Sequence, residues 1–183
     1  MLARLEPSLI LLSLGTHQQS FPRALDLVSP LALRGEELVV QHGSTAPRLE
    51  MPNITWVEFM SYDDVMNTMA KADSVICHAG VGTIITALKA GHKPVVIPRQ
   101  AQYDEHVDNH QLDIATRFAE RGLVYRVTTE TDLAPLLTSR GENGTRQIGN
   151  GSVELRVAIL NAVAAEPRHR LLSLLRRRAN RPI

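Results

Sequence analysis

The 183-residue chain carries 20 Lys plus Arg against 19 Asp plus Glu, a formal net charge of +1, with 44% hydrophobic residues and one cysteine. That apolar fraction excludes a disordered chain, and one cysteine excludes an internal disulfide and a cysteine-built zinc site. The near-neutral total argues against a uniformly basic nucleic-acid binder. The total hides an uneven distribution. Residues 1–166 hold 14 basic and 19 acidic residues, net −5, whereas 167–183 hold six Arg and no acid. At roughly 150 residues per domain, this reads as one domain over 1–166 followed by a basic tail.

Short apolar runs alternate with longer helical patterns along the chain. Strands are predicted at 9–14, 38–42, 54–59, 74–78, 94–98 and 123–127. Several are continuously apolar, as strands buried on both faces of a parallel sheet are. Helices are predicted at 21–33, interrupted by Pro30, at 63–71 with Ser61 as N-cap, and at 83–90, ended by Gly91. Further helices are expected at 105–120, 132–137 and 153–165, with a Gly/Asn-rich flexible loop at 139–151. The alternation gives an α/β fold with a doubly wound, mostly parallel sheet. The apolar run 9–14 is far shorter than the roughly 20 residues of a spanning helix, so a cytosolic protein with a reduced Cys77 is expected. In the tail, Leu171, Leu172, Leu174 and Leu175 precede Arg176, Arg177 and Arg178. Such a segment can lie on an anionic membrane surface, dock on a partner, or simply be a solvated terminus.

Three polar loops follow strands, and in a doubly wound sheet all three face one rim. After the fourth strand runs His78-Ala-Gly-Val-Gly-Thr83. Gly80 and Gly82 let the backbone approach a ligand, and the free amides of a helix starting at Thr83 favour a phosphate. The His78 ring and the Thr83 hydroxyl offer further hydrogen bonds. A tight strand–helix turn that needs glycine for packing alone is the competing reading. The dinucleotide fingerprint is incomplete, because its third glycine position holds Ile85 and Pro98-Arg99 stands where an acid is expected.

The second loop, 98–111, crowds Asp104, Glu105, His106, Asn109, His110 and Gln111 at a helix start, a density of donors and acceptors that suits a sugar. His106 and His110 stand i, i+4 and can share a metal, but no His-Glu-x-x-His pattern occurs. Alternatively Asp104 and Glu105 cap the helix and the histidines are solvated. The third loop is Gly15-Thr-His-Gln-Gln-Ser20. His42, His92 and His169 read as structural or solvated.

Together these loops resemble the glycosyltransferase family 28 C-terminal domain, the donor-binding half of a GT-B enzyme. The resemblance rests on Leu14–His17, Gln41-His-Gly-Ser44, Ile76–Thr83, Ala87–Pro98 and Glu105–Gln111, and spans about residues 8–165. It is closest to stand-alone versions of that half, the catalytic subunit of the dolichol-linked N-acetylglucosaminyltransferase and bacterial exopolysaccharide E-type subunits. The resemblance implies a UDP-sugar donor, its diphosphate held by Gly80, Val81, Gly82 and Thr83 with His78 beside it. It implies sugar contacts from Glu105 and His106, with Asn109 stabilising that turn, and Gly15, Thr16 and His17 on the opposite side of the cleft. Where related enzymes bind the ribose through a Glu, this chain has Thr86. The resemblance further implies an inverting transfer of a hexose, of the N-acetylglucosamine or glucuronic acid type, to a polyprenyl-diphosphate-linked glycan. No cofactor and no metal is implied, and no Asp-x-Asp motif occurs. The acceptor half is missing, so a membrane-anchored acceptor-binding subunit is implied, with this chain peripheral at the inner face of the membrane. His17 is the local candidate for the general base. The competing functions are a non-catalytic nucleotide-sugar-binding subunit and a nicotinamide-dependent oxidoreductase.

Overall fold

The computed structural model describes residues 7–48, 50–127, 133–138 and 153–164. The expected loop at 139–151 and the basic tail lie outside the described residues. Six strands form one sheet: β1 (Leu9–Ser13), β2 (Glu37–Gln41), β3 (Ile54–Val57), β4 (Ser74–His78), β5 (Val95–Ile97) and β6 (Tyr125–Arg126). Their order is β3-β2-β1-β4-β5-β6, and every pairing is parallel. The doubly wound sheet expected from the alternation is therefore present. Between β1 and β4 the strand order reverses, which opens a crevice at the carboxyl ends of those two strands.

The helices are α1 (Pro22–Leu33), α2 (Tyr62–Lys71), α3 (Val81–Lys89), α4 (His110–Glu120), α5 (Ala134–Thr138) and α6 (Val153–Ala164). Alternation along the strands feeds both faces. Ile10, Leu12, Leu38, Val40, Ile76, Val95 and Ile97 pack with Ala24, Leu25, Val28 and Leu31 of α1. On the other face Leu11 and Val75 meet Met69 and Ala87, while Cys77 and Val96 meet Ile84, Phe118 and Ala162. Each fully buried Ile or Leu contributes about 1.5–3 kcal/mol, which fixes the register of the strands. Cys77 is a free, buried thiol that burial pushes up to about 12.

Four sequence expectations change. Pro30 does not interrupt α1. It is exposed, and buried Val28 and Leu31 hold the helix to the sheet on either side of it. The helix expected from Thr83 begins at Val81, with Gly80 as N-cap. The helix expected from Glu105 begins only at His110. Residues 101–103 form one short 3-10 turn, ended by Asp104 in the left-handed region at φ 56°. Asp104 and Glu105 therefore do not cap α4; Asp108 Oδ1 accepts the His110 amide instead, at 3.0 Å. Ser61 does cap α2, accepting the Asp64 amide at 3.1 Å.

Candidate functional site

The loops after β1, β4 and β5 meet at the crevice, around a cavity of about 410 Å³ lined by Thr16, His17, Gln18, His78 and Gln111. Its floor is a series of close approaches. Gly43 has φ +55°, and a Cβ there would stand 2.5 Å from the Gly15 carbonyl oxygen. Gly15 has φ +76°, and a Cβ there would stand 2.5 Å from His78 Cε1. A Cβ on Gly80 would stand 2.2 Å from His78 Nε2. The imidazole is thus wedged between two backbones, and the reason for glycine at 80 lies inside the protein. Burial, aided by the Arg99 charge, lowers the His78 pKa to about 4, so the ring is neutral at pH 7. Nδ1 donates to the Ser13 carbonyl at 3.4 Å, which leaves Nε2 as an acceptor.

Gly82 differs from Gly80. Its φ is not positive, and a Cβ there would meet nothing within 4 Å. Neither backbone strain nor packing asks for glycine at this position. The first intrahelical bond of α3 runs from the Ile84 amide to Gly80 O at 3.0 Å. Helix geometry leaves the amides of Val81, Gly82 and Thr83 without an intrahelical acceptor. They form a positive, donor-rich end that begins three residues beyond cavity-lining His78, the physical requirement for an anion site. Thr86 Oγ1 donates back to Gly82 O at 2.8 Å.

Gln111 ties two loops together, its Oε1 accepting the Ala79 and Arg99 amides, each at 3.1 Å. Asn109 Oδ1 accepts the Ala101 amide at 2.9 Å and closes the 3-10 turn. Glu105 is 1% exposed, and both of its oxygens are engaged. Oε1 accepts from Arg23 Nε at 2.9 Å; Oε2 accepts from Arg23 Nη2 at 2.7 Å and from the Gln100 amide at 3.0 Å. The structure places Glu105 beneath the loop and His106 in it.

His17, His106 and His110 form a row, with ring centroids 4.6 and 4.5 Å apart. Burial, with neighbouring positive groups, lowers the pKa values of His17 and His106 and keeps both neutral. His17 Nδ1 accepts the Gln19 amide at 3.2 Å, which places its proton on Nε2. The ligand atoms of His106, Asp108 and His110 lie within 4.8 Å of one another, the one group among the described residues with the donor set for a cation. Here those atoms already bond within the cluster: Asp108 Oδ1 accepts from His110 Nδ1, and His106 Nδ1 accepts the Asp108 amide at 3.3 Å. His92 is structural, its Nε2 2.7 Å from the Met69 carbonyl. Sequence reasoning missed Arg23 and Arg99. Arg23 sits in an amphipathic helix pattern, and Arg99 registered only as an absent acid.

Residues 10–153 match the glycosyltransferase family 28 C-terminal domain. The chain belongs to this family. The UDP-N-acetylglucosamine transferase subunit ALG13 of Yarrowia lipolytica is 38% identical to it over 81 residues, covering 44% of this chain and 37% of that protein. The N-acetylmuramyl-(pentapeptide) pyrophosphoryl-undecaprenol N-acetylglucosamine transferase of Rubrobacter xylanophilus is 30% identical over 122 residues, covering 67% and 34%. The matched segment thus spans only about a third of either relative's length, at 37% and 34%. Among solved structures, the glycotransferase of kitacinnamycin superposes with a TM-score of 0.57 at 20% identity, covering 93% of this chain and 43% of that one. The NMR solution structure of ALG13 superposes at 0.51 and 22% identity, covering 84% and 96%. The fold of this family 28 domain is that of the C-terminal half of a GT-B glycosyltransferase. Its glycine pair follows β4, whereas a dinucleotide-binding sheet carries its fingerprint after the first strand, where this domain has Gly15 alone. No helix among the described residues is long and apolar enough to cross a membrane.

Proposed function

We propose that the chain is the donor-binding, catalytic part of an inverting UDP-sugar glycosyltransferase. The observation that carries this reading is the N-terminus of α3, with its three amides and open space at Gly82, beside the cavity at the strand-order reversal. A diphosphate at Val81, Gly82 and Thr83 would face those amides, and the same contacts would stabilise the leaving UDP as its charge develops. The sugar would lie towards Thr16, His17 and His106, with Glu105 and Asn109 holding the loop that carries His106. His17 donates from Nε2 while Nδ1 holds the Gln19 amide; to act as general base it must release that amide or change tautomer.

The names of these relatives support N-acetylglucosamine as the transferred hexose and a polyprenyl-diphosphate-linked glycan as acceptor; the proposed setting is exopolysaccharide or cell-surface glycan synthesis. ALG13 is named a subunit, which supports a partner chain; in this proposal that partner is membrane-anchored, binds the acceptor and holds the chain peripherally at the cytoplasmic face. The basic tail at 167–183 would assist there, since each Lys or Arg near an anionic surface is worth about 1 kcal/mol.

Calorimetric titration with UDP, UDP-N-acetylglucosamine, UDP-glucuronic acid and NAD tests the donor class. UDP and one UDP-sugar should bind, and NAD binding without UDP binding overturns the reading. A transfer assay with a co-expressed acceptor subunit separates a catalytic part from a binding subunit. The Gln19 amide on His17 Nδ1 favours the second of these if no partner supplies a base.

A further inference from the structure

Arg99 heads the fully buried side chains by volume, at 1% exposure. It stands just past β5, and its guanidinium reaches back across the crevice. Nη2 donates to the Leu14 carbonyl at 3.0 Å, and Nη1 to the carbonyls of Gln19 at 2.7 Å and Glu105 at 3.1 Å. Cζ lies 4.6 Å from the centroid of the Phe21 ring. Leu14 and Gln19 bracket the loop that carries Gly15, Thr16 and His17, and Glu105 immediately precedes His106. One side chain therefore fastens together the two loops that carry the stacked pair His17 and His106.

Burial lowers the Arg99 pKa to about 10, opposed by Glu105, so the group stays charged at neutral pH. Its charge is incompletely matched within the site. Arg23 and Arg99 share the single carboxylate Glu105, and both oxygens of Glu105 are bonded to Arg23. Arg99 Nε is buried without a hydrogen-bond partner. Burying an ion costs several kcal/mol, which only well-placed hydrogen bonds and opposite charge offset. The three carbonyls it spans account for the planar fork, and its incompletely matched charge would favour an anionic ligand in the neighbouring crevice.

We propose that Arg99 is a positioning residue of this site: a buried cation that holds the loop after β1 against the loop after β5 in the shape that accepts a diphosphate sugar. The choice of ligand rests on the function proposed above; the fastening of the loops does not.

Two variants separate fastening from charge. Arg99→Lys keeps the charge, but one ammonium group cannot reproduce the planar fork that spans these carbonyls. Arg99→Met removes both. Amide hydrogen exchange in the ligand-free proteins should be at least about tenfold faster in segments 14–21 and 100–109 of both variants, with the central strands unchanged. UDP affinity should fall about tenfold or more in both. NMR titration of the imidazoles should show the His17 and His78 midpoints raised more in Arg99→Met, which loses the charge as well as the fastening, than in Arg99→Lys. Unchanged exchange in both segments of folded Arg99→Met would overturn the fastening. Faster exchange with wild-type UDP affinity would overturn the positioning role. Should the wild-type chain bind neither UDP nor a UDP-sugar, the proposed function falls, while the exchange measurement still decides whether Arg99 fastens the loops.

Discussion

Glu105 and Arg23 form a two-pronged ion pair, with Nε 2.9 Å from Oε1 and Nη2 2.7 Å from Oε2, and the Glu105 side chain is only 2% exposed. The pair joins the loop after β5 to the first turn of α1. A sugar hydroxyl could reach this carboxylate only by displacing Arg23. Glu105→Gln should lower stability by about 3 kcal/mol, because a buried guanidinium loses its counter-charge. Urea denaturation measures this. UDP and UDP-sugar affinities should fall by the same factor; a loss confined to the sugar nucleotide would make Glu105 a direct ligand.

The glycines divide by the reason for their presence. Gly15→Ala should cost at least about 1–2 kcal/mol from its left-handed backbone alone, before the clash with His78 is added. Gly80→Ala should likewise destabilise, by displacing the ring. Gly82→Ala should leave stability unchanged or raise it, since it fills open space on a helix. It should nonetheless weaken UDP binding. Denaturation and calorimetry on the three variants give the pattern, and normal UDP affinity in Gly82→Ala would remove the ligand from this turn.

Thr83→Ala should weaken UDP binding by about 1.5–3 kcal/mol, the worth of a hydrogen bond to a charged group, without altering the melting temperature by more than a surface change does. An unchanged dissociation constant in calorimetry would take Thr83 out of the site.

His78 predicts an acid-sensitive fold. Its pKa is about 4 in the folded chain against 6.5 unfolded, so the unfolded chain binds more protons between those values. Its stabilising contribution is complete above pH 6.5 and is lost as pH falls, by about 2 kcal/mol at pH 5. His17 and His106 are shifted in the same direction and add to the slope. Urea midpoints at pH 7.5 and 5 should differ less in His78→Gln than in the wild-type chain.

The sequence by itself determined the sheet, its parallel strands and the three loops at one rim, because continuous apolar runs such as Leu9–Ser13 and the turn glycines are local signals. It also determined the family, since His78–Thr83 and Glu105–Gln111 are contiguous motifs. Only the tertiary structure decided where the helices start. The helix pattern around 105–109 is overridden there, because Glu105 is drawn inward to Arg23, 82 residues away. Only the tertiary structure separated Gly80, which makes room for a ring, from Gly82, beside which the space is open. And only the tertiary structure gave Arg99 its place, since the carbonyls it holds belong to Leu14 and Gln19, 85 and 80 residues distant. Main-chain acceptors leave no mark in the sequence: any residue has a carbonyl, and the fold alone decides which ones meet.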